Sequence, residues 1–364
     1  MTISFARGVP APECLPVEEL AECAKAALER DGQAALTYVG AAGYEPLRRW
    51  VAERHGVESE RVMLTNGSLQ AFVFVTEHLL RSKPGRVLVE APTYDRPLKI
   101  LARLGAEVVG VPQDEDGLDL DALERELDAG PLPALLYTIP TFQNPTGRTL
   151  SRERRRRLSE LARERDLLVF EDDPYGLVRF EGDPLPTILE LEGGERVVYS
   201  SSFSKTIAPG VRVGYLVLPA KLARAVEAIA VSTYISPVSL SQAAVWEFIR
   251  RGSFEPNLER VNGLLRERRD AMLAALERGL GGDARWSRPE GGYFLWLDLP
   301  RGTDAGDLLA RATEAGVTFV KGSDFFPGAG GESSARLAYS FVSPGEIDTG
   351  IARLASLLPA AASV

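Results

Sequence analysis

Leu167-Leu168-Val169-Phe170-Glu171-Asp172-Asp173-Pro174-Tyr175 is the stretch that decides the fold. Its apolar part, 167–171, is too short for a helix and rich in strand formers. It follows a helix-like segment at 151–165 and breaks off into two carboxylates, a proline and a phenol. Such a run reads as a buried strand whose end is polar. The same unit recurs in both directions. Apolar runs lie at 86–90, 106–111, 134–139, 196–200 and 213–218, and helix-like segments at 95–104 and 119–128 separate several of them. Short β-rich runs alternating with helices predict an α/β architecture, a mostly parallel sheet covered on both faces.

Outside this block the pattern changes. Residues 16–31 read as an amphipathic helix ended by Asp31-Gly32; 44–55 and 69–81 read as two more, the latter closed by Lys83-Pro84-Gly85. From about 240 the chain is mainly helical, through Gln242–Arg251 and 254–279. Two alternating segments, Gly292–Asp298 and Ala335–Phe341, follow. They predict a small, partly antiparallel sheet. With 364 residues, more than one hydrophobic core is expected. The expected division is an N-terminal segment, 1–35, packing on the small domain; a large domain, 36–240; and a small α+β domain, 241–364.

Composition narrows the function. A net charge of −9 without a basic patch argues against nucleic acid. Two cysteines, Cys14 and Cys23, and two histidines, His55 and His78, make a metal site or a histidine triad improbable, and no metal is expected. The N-terminus has no signal-like apolar region and no run is long enough to span a bilayer, so a cytoplasmic protein free of membrane is expected. Lysine is scarce: positions 25, 83, 99, 205, 221 and 321 only. Chemistry that needs an amine nucleophile has few candidates.

Ligands of open α/β sheets bind beyond the carboxyl ends of the strands. Those ends carry Ala91-Pro92-Thr93-Tyr94, Pro140-Thr141-Phe142-Gln143-Asn144-Pro145-Thr146-Gly147, Asp172-Asp173-Pro174-Tyr175 and Ser201-Ser202-Phe203-Ser204-Lys205. No glycine-rich nucleotide loop appears. A lysine, a carboxylate, a phenol and an amide converging on one edge suit a pyridinium aldehyde cofactor.

In this order and at these intervals the motifs resemble fold-type I, pyridoxal-5′-phosphate (PLP) dependent aminotransferases of class I/II, closest to the branch of α-aminoadipate and kynurenine aminotransferases. The likeness runs from Ser4-Phe5-Ala6-Arg7-Gly8 to the strand of Arg336. It implies an aspartate aminotransferase-like fold, with a seven-stranded, mostly parallel sheet sandwiched by helices. It also implies roles. Lys205 would hold PLP as a Schiff base and carry the proton; a solvated surface lysine is the bland alternative. Asp172 would pair with the ring nitrogen, and the spacing Asp-x-x-Tyr selects it over Asp173, although either could cap the turn. Tyr175 and Asn144 would donate to the phenolic oxygen, unless they are packing and a turn former. Tyr94 would stack on the ring. Gly67, Ser68 and Leu69 at a helix start, with Ser202, Ser204 and Arg212, would hold the phosphate. Tyr38 would reach the phosphate of a neighbouring subunit, which implies a homodimer with its site at the interface. Arg336 would grip the substrate carboxylate beside Asn144, and Gly8 would let the backbone approach.

The implied reaction moves an amino group from an L-amino acid to a 2-oxo acid, 2-oxoglutarate being the expected acceptor, in two ping-pong halves. The donor is open. Arg7 could read a distal carboxylate or face solvent, and Tyr234, Ser236 and Phe325-Phe326 could shape the pocket. A C–S lyase or an oxidase-like enzyme of secondary metabolism would share Lys205 and Asp172. A non-catalytic regulatory domain is the remaining alternative.

Overall fold

In the computed structural model, residues 2–81, 85–280 and 284–358 are described. The expected turn at Lys83-Pro84 lies outside them. The large sheet contains β1 (Val62–Thr65), β2 (Arg86–Ala91), β3 (Glu107–Asp114), β4 (Leu135–Thr138), β5 (Val169–Asp172), β6 (Val197–Ser202) and β7 (Gly214–Val217). Their spatial order is β1-β7-β6-β5-β4-β2-β3, and the two-residue strand Gly117–Leu118 adds an eighth at the β3 edge. The sheet is therefore one short strand wider than the seven expected. Pairs from β3 to β6 are parallel, whereas β6–β7 and β7–β1 are antiparallel. Strands β4 and β5 are buried along their whole length, as strands covered on both faces must be. Strand β1 has no counterpart in the sequence reading, since Val-Met-Leu-Thr is too short to stand out beside Asn66-Gly67-Ser68.

Two helices correct the expected division. α1 (Val17–Leu36) does not stop at Asp31-Gly32: Asp31 leaves helical geometry (φ −146°, ψ 39°), and the helix resumes to Leu36. Nor does α1 pack on the small domain. Small residues Cys23, Ala27 and Ala35 bring it close to α3 (Ser239–Arg250), and both belong to the core of the large domain. Only the chain before α1 reaches the small domain. There Ile3–Ser4 pairs in parallel with Val317–Thr318, and Phe5 is fully buried. The large-domain core likewise continues past 240, to Phe248, Ile249 and Phe254. Both cysteines are free thiols, buried in different cores.

The small domain has a four-stranded antiparallel sheet, ordered Arg285–Trp286, β8 (Phe294–Asp298), β9 (Ser334–Ala338) and Val320–Lys321. The later turns of α4 (Phe254–Gly279) and the helix Pro344–Ser356 cover it with Leu265, Met272, Leu276, Ile347, Ile351 and Leu354. Each such side chain, taken from water, contributes about 1.5–3 kcal/mol. Ser343 and Glu346 close a capping box at the start of that last helix. No described helix is long and apolar enough to cross a membrane. The placement that matters for chemistry is simple. Strand ends of the large sheet face Phe294 and Arg336 of the small one, and Gly8 lies between them.

Candidate active site

A cavity of about 350 Å³ opens at the carboxyl ends of β2, β4, β5 and β6. It is lined by Gly8, Ser68, Leu69, Tyr94, Asn144, Asp172, Tyr175, Ser202, Ser204, Lys205, Arg212 and Arg336. Residues from near both ends of the chain thus meet in one place.

Lys205 follows β6. Its side chain is partly buried, and the amine donates to the Gly8 carbonyl at 2.8 Å. Tyr293 and Tyr175 lie below it, with ring centres 5.1 and 5.7 Å from Nζ. Burial first, then the cations Arg336 and Arg212, lower the pKa of the amine from 10.5 to about 8. It is therefore a far better nucleophile near neutral pH than a surface lysine. Asp172 ends β5 and is pushed to about 7, chiefly by burial, with Asp173 and Glu90 adding repulsion. Its Oδ2 accepts from the Tyr137 hydroxyl at 2.7 Å; its Oδ1 is buried without a partner. Asp173 accepts from the Tyr199 hydroxyl at 2.9 Å, has its own Oδ1 buried without a partner, and lines a different cavity. Of the two carboxylates, Asp172 is the one that lines this cavity.

Arg336 stands on β9, with Nη1 donating to Asn144 Oδ1 and Nη2 to the Ala6 carbonyl, both at 2.9 Å. Its Nε is buried and unpartnered. Phe294 and Phe325 sandwich the guanidinium, 4.2 and 4.9 Å from Cζ. Burial lowers its pKa to about 10, and no carboxylate pairs with it among the described residues. Because Asn144 spends its oxygen on Arg336, its amide Nδ2 is left for a ligand. The peptide Asn144-Pro145 is cis.

The opposite end of the cavity suits an anion. Ser68 opens α2 (Ser68–Leu80), whose N-cap Gly67 has φ +92° and offers no side-chain cap. A side chain at 67 would collide with the Arg212 guanidinium. Arg212 donates to Asn66 O at 3.0 Å and more loosely to Ser204 Oγ at 3.4 Å, and Ser202 donates to Ser204 at 2.9 Å. Unsatisfied helix N–H groups, two hydroxyls and a guanidinium form a phosphate cradle.

Among the expected site residues Tyr38 stands apart, 80% exposed and outside the cavity, while Gly67 adjoins the lining residue Ser68 without lining the cavity itself. Arg7 is also exposed, with Cζ 4.0 Å from the centre of the Phe341 ring. Tyr234 points its hydroxyl to the Ala41 carbonyl. Sequence reasoning missed four residues. Tyr137 and Phe294 sit within apolar runs that read as core, and Tyr293, whose hydroxyl reaches Lys205 O at 3.1 Å, looks the same. Arg96 lines the mouth beside Asp95 and carries no motif. Another cavity, about 320 Å³, lies around Asp173, Arg155 and Tyr199. Arg155 there is spent on the carbonyls of Pro140, Leu150 and Pro186, so its charge does not converge on a ligand.

The residues present fit pyridoxal phosphate: an unpartnered carboxylate oxygen for the ring nitrogen, groups suited to a phosphate at the other end, and the amine of Lys205 on the same cavity. That set, on this sheet, defines a PLP-dependent enzyme of fold type I. The sequence profile of the family "Aminotransferase class I and II" matches residues 11–354, and the chain belongs to that family. It is 42% identical over 360 residues to the 2-aminoadipate transaminase of Thermus thermophilus, covering 98% of this chain and 90% of that one. It is 36% identical over 367 residues to aromatic-amino-acid aminotransferase 1 of Thermococcus litoralis, covering 98% and 88%. Its fold superposes on the crystal structure of the α-aminoadipate aminotransferase of Thermus thermophilus, complexed with N-(5′-phosphopyridoxyl)-L-leucine, with TM-score 0.93 and 40% identity, covering 98% and 92%. The protein is a PLP-dependent aminotransferase acting on amino and 2-oxo acids.

Proposed function

We propose that this aminotransferase takes the amino group of an L-amino acid and delivers it to a second 2-oxo acid, 2-oxoglutarate, in two ping-pong halves, within a homodimer. The observation that carries the reading is Arg336: a buried cation with no carboxylate partner among the described residues, its Nε unsatisfied, on the same cavity as the depressed amine of Lys205. An isolated buried charge is costly unless a ligand completes it. An α-carboxylate does so, and the fork fixes the amino acid at two points.

PLP, when bound, supplies an aldehyde that takes up the amino group and a conjugated ring that accepts the electron pair of the broken Cα–H bond. The chain supplies the rest. Lys205 would hold the cofactor through its aldehyde carbon, and its amine, when free, would take the α-proton of the substrate and return it to that former aldehyde carbon, across the nitrogen from Cα. Asp172 would meet the ring nitrogen and balance its charge. Asn144 Nδ2 and the Tyr175 hydroxyl hold the phenolic oxygen. Tyr94 covers the ring, while Gly67, Ser68, Leu69, Ser202, Ser204 and Arg212 hold the phosphate. Gly8 leaves room beside the substrate, where a side chain would strike Phe294. Tyr38 completes the partner's phosphate site, which accounts for its exposure in a single chain. Leu36, Ile235 and Val238 are likewise exposed apolar residues, of the kind a dimer face covers.

Two relatives are named for 2-aminoadipate and for aromatic amino acids, so acidic and aromatic donors head the panel to be tested. Each donor is incubated with holoenzyme and 2-oxoglutarate. Equal amounts of glutamate and of the donor's oxo acid are expected, along with parallel double-reciprocal plots. Pyruvate with ammonia, or oxygen uptake without glutamate, would overturn the reading in favour of a lyase or an oxidase.

A further inference from the structure

Asp172 receives one hydrogen bond to its side chain among the described residues, from the Tyr137 hydroxyl. Tyr137 lies on β4, in the middle of the sheet and fully buried. Its ring packs against Phe72 at 5.1 Å, edge to face, and against Phe170 at 5.8 Å. The phenol is thus held in place by aromatic contacts that do not depend on the cofactor. Burial and Asp172 itself keep it protonated, well above its usual pKa, so it can only donate to the carboxylate.

A carboxylate turns easily about its last torsion, which has a broad two-fold profile. A lone aspartate at the end of β5 would present either oxygen, or swing away from the cavity. With Oδ2 tied at 2.7 Å, Oδ1 is the one left free, buried and unpartnered. The groups facing Asp172 pull in opposite directions. Glu90 from β2 and Asp173 next to it in the chain favour the protonated form, as burial does, and Tyr137 favours the ionised form.

We propose that Tyr137 is a positioning residue that selects Oδ1 of Asp172 as the oxygen offered to the cofactor's ring nitrogen and keeps the carboxylate ionised to meet it. The proposal rests on the role given to Asp172 above. Removal of the hydroxyl leaves a carboxylate that both wanders and holds a proton more readily, so the ring nitrogen loses its charged partner.

Tyr137→Phe tests this in the reconstituted holoenzyme, alongside Asp172→Asn and the double variant. Phenylalanine deletes one oxygen and keeps the ring between Phe72 and Phe170, so the fold is retained; a thermal melt verifies it. Hydrogen bonds to charged groups set the scale, and loss of about tenfold or more is expected in kcat, with KM for donor and acceptor held within about threefold. Cofactor retention in Tyr137→Phe should weaken in step, by about tenfold. The ¹⁵N signal of ring-labelled cofactor should move toward that of a neutral pyridine. In the double variant the losses should not multiply, because both act through one carboxylate. Wild-type ¹⁵N signal and cofactor retention in Tyr137→Phe would overturn the proposal, as would losses that multiply in the double variant. Wild-type activity in Asp172→Asn would instead remove the Asp172 assignment itself, so the two failures are distinguishable.

Discussion

The two ends of the active-site cavity are built differently. The inner end, around Lys205, Asp172, Ser202 and Ser204, hangs on strands β5 and β6, whose backbones are pinned on both sides by parallel or antiparallel neighbours. Asp172, Ser202 and Ser204 are buried and Lys205 partly so, and the pKa values of Asp172 and Lys205 are displaced mainly by burial. The outer end borrows from everywhere else: Gly8 from the N-terminal segment, Arg336 from the small domain, and Arg96 from an exposed helix turn. What the difference teaches is a division of labour. The groups assigned above to the cofactor sit mostly on the sheet, and those assigned to the substrate sit on pieces that can vary without disturbing it.

On this contrast the largest effect belongs to Lys205. Lys205→Met should lower transamination by at least about 10⁴-fold, since anchor and proton carrier are lost together. The same change should stabilise the apoenzyme. Lys205 has a folded pKa of about 8 against 10.5, so between these values the unfolded chain binds more protons than the folded one, and stability rises with pH there. Near pH 7 the charged amine costs about 3 kcal/mol, from which about 1 kcal/mol is subtracted for the bond to the Gly8 carbonyl. Lys205→Met should therefore gain about 2 kcal/mol near pH 7 by denaturant titration. The gain should fade as pH rises from 8 to 10.5. A gain that does not depend on pH would mean that the amine is not desolvated.

Next comes Arg336→Lys, which keeps the charge and removes the fork. It should reduce kcat/KM by about a hundredfold, because one bidentate contact and the tie to Asn144 are lost. Cofactor retention should stay within about threefold of wild type. An equal loss in both would show that the two ends are not independent.

The same contrast governs what could be read from the sequence. The inner residues were legible because each ends an apolar run: Asp172 after Val169-Phe170-Glu171, Lys205 after the strand through Ser202. A polar group at such a point has few reasons to be there. Tyr137 was illegible for the opposite reason: it lies inside Leu135-Leu136-Tyr137-Thr138, where a tyrosine looks like packing. Arg96 carries no local signature at all, since its place at the mouth comes from tertiary packing. The fate of α1 shows a further limit. Its apolar stripe announced that the helix is packed, but not against what, and the Asp31-Gly32 break signal lost to the contacts that Ala35 makes beyond it.

A smaller effect is expected at Tyr38. The hydroxyl, exposed in one chain, should matter only in the assembled dimer. Tyr38→Phe should weaken cofactor retention by about tenfold or less, the worth of one hydrogen bond to a charged group, with kcat at saturating PLP near wild type. Retention equal to wild type in a species that sediments as a dimer would remove Tyr38 from the phosphate site.

The smallest effects separate two outer arginines. Arg7 adjoins Gly8 in sequence and so invites a part in reading the substrate, yet its guanidinium lies over the Phe341 ring, on the surface and away from the cavity lining. An exposed cation–π contact is worth about 0.5–1 kcal/mol and concerns the fold rather than the substrate. Arg96 lines the mouth, and its nearest carboxylate is its own neighbour Asp95 at 3.8 Å, beyond hydrogen-bond range. Arg96→Ala should therefore lower kcat/KM for acidic donors by about fivefold while sparing aromatic ones, a contribution typical of a solvent-exposed ion pair. Arg7→Ala should change either class by less than about twofold. A selective loss of acidic donors in Arg7→Ala would exchange the two assignments, because only a side chain that turns away from Phe341 and into the cavity could tell one donor from the other.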